Sequence, residues 1–145
     1  MFYGQYFCTL DDSNRIEIPS AYRDLLAGKA VVTQGFDRNI LVLPVNVFED
    51  LARLVTRLNM ADPLARGLQR MLLANAEVCE VDQAGKLVLP ENLKQFAGMD
   101  TSVVAAGQGK YFETWSMEAW QVQEIMIHDA DSNASRFISL DLAGL

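Results

Sequence analysis

Phe7-Cys-Thr-Leu-Asp11-Asp-Ser-Asn-Arg15-Ile-Glu-Ile-Pro19 recurs 71 positions further on as Val78-Cys-Glu-Val-Asp82-Gln-Ala-Gly-Lys86-Leu-Val-Leu-Pro90. Each copy has an apolar strand, an aspartate, three turn residues, a base, a short alternating strand and a proline. Asn14 and Gly85, at matching places, tolerate the left-handed backbone that a tight turn requires. Asp11 and Asp82 open the two turns, where a short carboxylate accepts hydrogen bonds from backbone N–H groups a few residues on. Alternation puts Ile16 and Ile18 on one side of the following strand and Arg15 on the other, and Lys86 keeps the same parity against Leu87 and Leu89. A duplicated turn that presents an acid and a base in fixed register predicts a repeated binding surface, not a catalytic pocket. On pattern alone, a surface ion pair that closes the turn remains the plainer alternative.

The copies continue in both directions. Pro19 leads into SAYRDLLAG and Pro90 into ENLKQFAGM, two short predicted helices with Arg23 and Lys94 at matching positions. Val31-Val-Thr-Gln-Gly35 matches Val103-Val-Ala-Ala-Gly107, and Ile40–Leu43 matches Phe112–Trp115. Gly35, Gly107 and Gly109 suit hairpin connections that need positive φ. A longer helix follows each unit. The first is expected to be capped by Asn46 with Glu49, a capping-box spacing. Asp62-Pro63 marks the start of a connecting helix, and Ser116 the start of the last one. The expected organisation is a first unit with its helix over 1–59, a connecting helix over 60–76, a second unit with its helix over 77–128, and an acidic, loosely ordered tail over 129–145.

A chain of 145 residues, half of them hydrophobic and 21% charged, has the composition of an ordinary globular protein. No apolar run is long enough to span a membrane and no signal-peptide pattern opens the chain, so a cytoplasmic location is expected. Cys8 and Cys79 occupy matching strand positions and read as buried thiols. The net charge of −7 is unevenly distributed: residues 1–59 carry seven acids and six bases, residues 60–145 twelve and six. A ligand phosphate meets a local patch and not that sum. No nucleophile–base pair, phosphate-cradling glycine loop or HExxH motif is present, so no enzymatic activity is expected. His128 among acids reads as a solvated side chain; no metal, other cofactor or small-molecule substrate is expected. Trp115 and Trp120 read as core anchors. Arg66 and Arg70 read as ion-pair or interface residues more readily than as nucleic-acid contacts.

Met1-Phe-x-Gly4, Asp11-x-x-x-Arg15, Ile16-x-Ile-Pro19-x-x-x-Arg23, Gln69-Arg70-Met-Leu-Leu-Ala-Asn-Ala76 and Asp82-x-Ala-Gly-Lys86 with Pro90 together resemble the MraZ family, within the AbrB/SpoVT-like group of swapped-hairpin DNA-binding folds. The resemblance covers roughly residues 1–125. It implies an α+β fold: two pseudo-symmetric swapped-hairpin β units forming a β-barrel-like core with helices at the periphery. It also implies a nucleoid-associated regulator of the bacterial division and cell-wall gene cluster, a ring-shaped homo-oligomer on double-stranded DNA that binds direct repeats upstream of its own operon. By position, Arg15 and Lys86 would contact DNA, Asp11 and Asp82 would fix the turns, and Arg23 and Lys94 would flank them. Lys86 stands where the family usually has arginine, and a lysine is a point charge suited to phosphate more than to base edges. Asn14 stands where glycine is commoner. The acidic balance and Lys86 motivate a second reading, a protein-interaction module of antitoxin-like or scaffold type on the same fold.

Overall fold

The computed structural model describes residues 1–142. The two copies fold into the same succession of elements. The first is β1 (Gln5–Thr9), β2 (Arg15–Glu17), α1 (Ser20–Leu26), β3 (Lys29–Gln34) and β4 (Ile40–Leu43), followed by α2 (Val45–Thr56). After α3 (Pro63–Gln69) and one wide π turn (Arg70–Ala74) come β5 (Glu77–Glu80), β6 (Lys86–Val88), α4 (Glu91–Phe96), β7 (Ser102–Gly107) and β8 (Phe112–Ser116), then α5 (Met117–Ile127). The fold is mixed α+β and its strand pairing is antiparallel throughout.

Six strands form one sheet in the order β1-β7-β8-β4-β3-β5, and β2 pairs β6 in a separate two-stranded ribbon. The first strand of each unit therefore lies against the third strand of the other: Gln5 faces Ala106, and Lys29 faces Glu80. The expected barrel-like closure is not found among the described residues. The sheet is open, with β1 and β5 as its edges, and the ribbon touches them only through the single bridges Leu10–Ile16 and Val81–Leu87. Each ribbon strand is three residues long, because a left-handed turn residue precedes it and a proline soon follows. Proline has no N–H to extend a ladder.

One face of the sheet, closed over by the ribbon and by α1 and α4, holds the main core. It includes Ile16, Ile18, Leu87 and Leu89 from the ribbon strands and their extensions, with Val32, Val42, Val103 and Phe112 from the sheet. Tyr22 sits at the centre, 1% exposed. Its ring meets Phe2 at 5.1 Å, Tyr6 at 5.2 Å and Phe112 at 4.8 Å. Its hydroxyl donates to the carbonyls of Tyr3 and Gly4 at 2.8 and 3.0 Å. On the other face, α2, α3 and the π turn cover Leu41 and Leu43, while α5 covers Val104 and Ala106 with Trp115 and Trp120. The two indoles meet edge to face at 5.7 Å, and Trp120 Nε1 donates to Gln5 at 2.8 Å. The tryptophans are thus core anchors, as their positions in the sequence suggested.

Local signals held where their partners were local. Asp62 accepts from the Leu64 amide at 2.9 Å with Pro63 following, and Ser116 accepts from the Ala119 amide at 3.1 Å. Asn46 does not cap: α2 starts at Val45, directly after Pro44, which leaves Asn46 inside the first turn. Gly35 and Gly107 do not carry positive φ either; Arg38 (φ 57) does so between β3 and β4. These two glycines instead make room. A Cβ on Gly107 would sit 2.4 Å from Tyr3 Cα, and one on Gly35 1.9 Å from Asn39 Oδ1. Cys8 and Cys79 are free thiols, and burial pushes each up to about 11. In the expected loose tail, Asp129 accepts from the Ser132 amide and hydroxyl and starts α6 (Ala130–Arg136), and a short 3-10 turn spans Ile138–Leu140. Residues 143–145 of that tail lie outside the described residues.

Candidate nucleic-acid interface

Both turns are built on the same bonds. In the first, the Asp11 amide donates to Arg15 O at 3.0 Å and the Asn14 amide to Asp11 O at 3.0 Å. Asp11 Oδ1 accepts from the amides of Ser13 and Arg15, both at 2.9 Å. In the second, the Asp82 amide donates to Lys86 O at 2.8 Å and the Gly85 amide to Asp82 O at 2.9 Å, and Asp82 Oδ1 accepts from the Lys86 amide at 2.9 Å. Asn14 and Gly85 both take left-handed backbone, φ 60 and 77. A carboxylate that satisfies the N–H groups of its own turn is what this spacing of aspartate and base requires.

The bases that close the turns differ. Arg15 Nε donates to Asp11 Oδ2 at 3.0 Å, and the side chain is 44% exposed. Holding the guanidinium by Nε leaves its two terminal nitrogens without a partner among the described residues, a fork that can match a phosphate or the O6/N7 edge of guanine. Lys86 makes no ion pair among the described residues, so its amine is free on a flexible stem. The Arg15 amide, ahead of the Ser13 amide and the guanidinium, holds the Asp11 carboxyl below its ordinary 3.8. A depressed carboxylate stabilises the turn fully above its unfolded value and loses that effect as pH falls through the folded one. The Arg15 amide resonance is therefore expected to titrate together with Asp11, with a midpoint below 3.8, as followed by NMR.

The ribbon brings the two turns onto one structure. In its register Arg15 lies opposite Val88, Ile16 opposite Leu87, and Glu17 opposite Lys86. Ile16 and Leu87 face the core, so Arg15, Glu17, Lys86 and Val88 share the outward face. Arg15 and Lys86 are diagonal neighbours on it, with backbones roughly 7–8 Å apart. The Ile18 amide donates to Gly85 O and the Leu89 amide to Asn14 O, both at 2.8 Å, so each turn is fastened to the strand of the other unit.

Arg23 and Lys94 lie beside this ribbon, each on the turn of the opposite unit. Arg23 Nε donates to Ile18 O at 2.8 Å, and its Nη2 reaches Glu17 at 3.4 Å. Its guanidinium occupies the space where a Gly85 side chain would be, 2.3 Å from an ideal Cβ. Lys94 Nζ donates to Asn14 Oδ1 at 2.9 Å. Glu17 and Glu91 were not singled out from the sequence; only the ribbon register and the packing of α4 reveal them. Counting Asp11, Asp12, Glu17, Asp82 and Glu91 against Arg15, Arg23, Lys86 and Lys94, the turns, the ribbon and their surround carry one acid more than bases. Elsewhere, Arg66 donates to Met60 O and Ala61 O, and Arg70 is exposed without a partner among the described residues. His128 lies 3.9 Å from Glu124 on the surface of α5. No cluster of metal-ligating side chains occurs among the described residues.

Comparison with known proteins agrees with the duplication. The family described as "MraZ protein, putative antitoxin-like" matches residues 1–71 and again residues 72–137. A protein of Roseiflexus castenholzii named Transcriptional regulator MraZ is 40% identical over 137 residues, 94% of either chain. One of Thermomicrobium roseum with the same name is 36% identical over 97% of this chain and 99% of its own length. A third, from Leuconostoc mesenteroides, is 33% identical over 98% of this chain and all of its own. With both copies of the repeat matched and full-length relatives of this identity, the chain belongs to the MraZ family.

Proposed function

We propose that this chain is a transcriptional regulator that binds double-stranded DNA through the outward face of the β2–β6 ribbon. One observation carries the reading: on that face, Asp11 holds Arg15 by Nε, leaving the terminal guanidinium nitrogens free to meet a phosphate or a guanine edge. A two-stranded ribbon has the width to enter a major groove. Arg15 supplies base reading in this proposal, Lys86 a phosphate contact, and Arg23 and Lys94 flanking charge. The cross-unit pairs β1–β7, β3–β5 and β2–β6 support a swapped-hairpin reading of the two units. The names of the relatives support the regulatory role.

The slight excess of acids over bases around the ribbon makes one subunit a weak binder. A ring that sets several ribbons on successive direct repeats upstream of its own operon offsets this through effective concentration. No helix among the described residues is long and apolar enough to cross a membrane. The test is binding to duplex DNA from upstream of its own gene at roughly 50 and 200 mM salt, since each neutralised phosphate contributes about −0.9 to the log–log slope. A steep fall in affinity is expected. A flat salt response, or a single stoichiometric protein partner with no DNA bound at either salt, would favour the interaction-module reading suggested by the ribbon's acidic balance.

A further inference from the structure

The two turns share their backbone bonds but not their clasps, and the difference lies in the left-handed residue. At the second turn this is Gly85, which contributes only its carbonyl, to the Ile18 amide at 2.8 Å. Any side chain there would collide with the Arg23 guanidinium. At the first turn it is Asn14, which uses its side chain as well as its carbonyl. Its carbonyl takes the Leu89 amide at 2.8 Å, its Oδ1 takes Lys94 Nζ at 2.9 Å, and its Nδ2 donates to Glu91 Oε2. All three partners belong to the second unit. The Asn14 amide, followed by Gln95, holds the Glu91 carboxyl below its usual range, which keeps it an ionised acceptor. Asparagine tolerates left-handed backbone better than most residues with a side chain, and its amide offers a donor and an acceptor at one site.

The geometry points to Asn14 as a positioning residue for Arg15, one that makes the first turn the specificity-determining turn of the pair by clamping it to Glu91 and Lys94 of α4. This rests on the DNA-binding reading above. Base-edge recognition needs a donor fork held in a fixed place, whereas phosphate contact tolerates movement. Arg15 follows directly after the clamped residue and is itself held by Asp11. Lys86 follows an unclamped glycine, ends in a free amine and faces Glu17. The clamp therefore acts on selectivity between sequences, not on attraction to DNA in general.

The test compares affinity for a duplex carrying the upstream repeats with affinity for a scrambled duplex of the same length, using the purified full chain. Asn14→Asp keeps the left-handed residue and the Lys94 bond but sets a second carboxylate against Glu91. It is expected to lower the specific-to-scrambled ratio about tenfold, the scale of one misread base pair. Adding Glu91→Gln restores a donor–acceptor match at unchanged net charge, and the ratio is expected to return to within about twofold of wild type. Asn14→Gly, which keeps the backbone bonds and relieves the φ of 60, is expected to lower the ratio while circular dichroism and Tm stay near wild type. A wild-type ratio in Asn14→Asp and Asn14→Gly, or a double variant no better than Asn14→Asp, overturns the assignment. If Arg15→Ala abolishes selectivity while the Asn14 variants keep it, only this inference falls. If wild type itself shows a ratio near one and Arg15→Ala changes nothing, the DNA-binding reading falls and takes the inference with it.

Discussion

Arg15→Ala is expected to abolish binding to the upstream repeats while the protein keeps its fold and its assembly. The side chain is on the outward face and its only partner among the described residues is Asp11. Its removal exposes no core and leaves no buried group unpaired. Exposed ion pairs of this kind contribute little to stability. On the proposed DNA-binding reading, what is lost is a bidentate contact, about 1–3 kcal/mol for each engaged subunit. In the proposed ring that loss is repeated at every ribbon, and with three or more ribbons engaged the combined effect exceeds a hundredfold even at the lower end. A gel shift at fixed salt, with light scattering to report the assembly, is the measurement. Lys86→Ala is the informative companion: it should weaken binding to all sequences alike and reduce the salt slope by about one. Binding of Arg15→Ala at wild-type strength would remove the ribbon face from consideration.

Tyr22→Ala is expected to have the largest effect on stability. Three aromatic rings pack around Tyr22, and its hydroxyl is the tie between α1 and the carbonyls of Tyr3 and Gly4. Truncating a fully buried aromatic leaves a cavity its neighbours fill only in part, at about 3–5 kcal/mol. Much of the stability typical of a single domain would go with it. Tyr22→Phe keeps the packing and forfeits the two hydrogen bonds, with an expected loss of about 1–2 kcal/mol. Urea denaturation at one protein concentration distinguishes them, because self-association makes apparent stability depend on concentration. If Tyr22→Ala unfolds at the urea midpoint of wild type, Phe2, Tyr6 and Phe112 do not depend on it.

The sequence carried what is decided within a few residues. The hydrogen bonds that close the Asp11 and Asp82 turns on themselves lie inside a five-residue window, as do the caps at Asp62 and Ser116. Asn46 failed as a cap because Pro44 set the start of α2, a detail the capping-box spacing does not contain. Gly35 and Gly107 were legible as special positions, but not for the right reason. The atoms that exclude a side chain there come from Asn39 and from the backbone of Tyr3, and the second of these contacts is remote in the chain. The pairing of β1 with β7 left no local mark at all, since alternation fixes which side of a strand is apolar and says nothing about its neighbour. For the same reason the sequence presented two turns on two units, while the structure sets their bases diagonally on one ribbon with Glu17 between the charges. Asn14 read as a turn former; its clasp depends on α4, which begins 77 residues later in the sequence.

The strand order has a consequence for synthesis. β1 is synthesised well before β7, and it carries Tyr6 and Phe7. Its strand partner among the described residues is β7, and Gln5 cannot find its place until Ala106 has been made. Until β7 has been made, the nascent chain therefore displays an unpaired, partly apolar strand. Neither half can complete its own sheet in the meantime, because each half's first strand finds its partner in the other. Pairing over so long a loop is slow, and unpaired edges are where nascent chains stick to one another. A truncated message that stops before β7 would release a product with a standing tendency to aggregate, and the first half expressed alone should be found in the insoluble fraction.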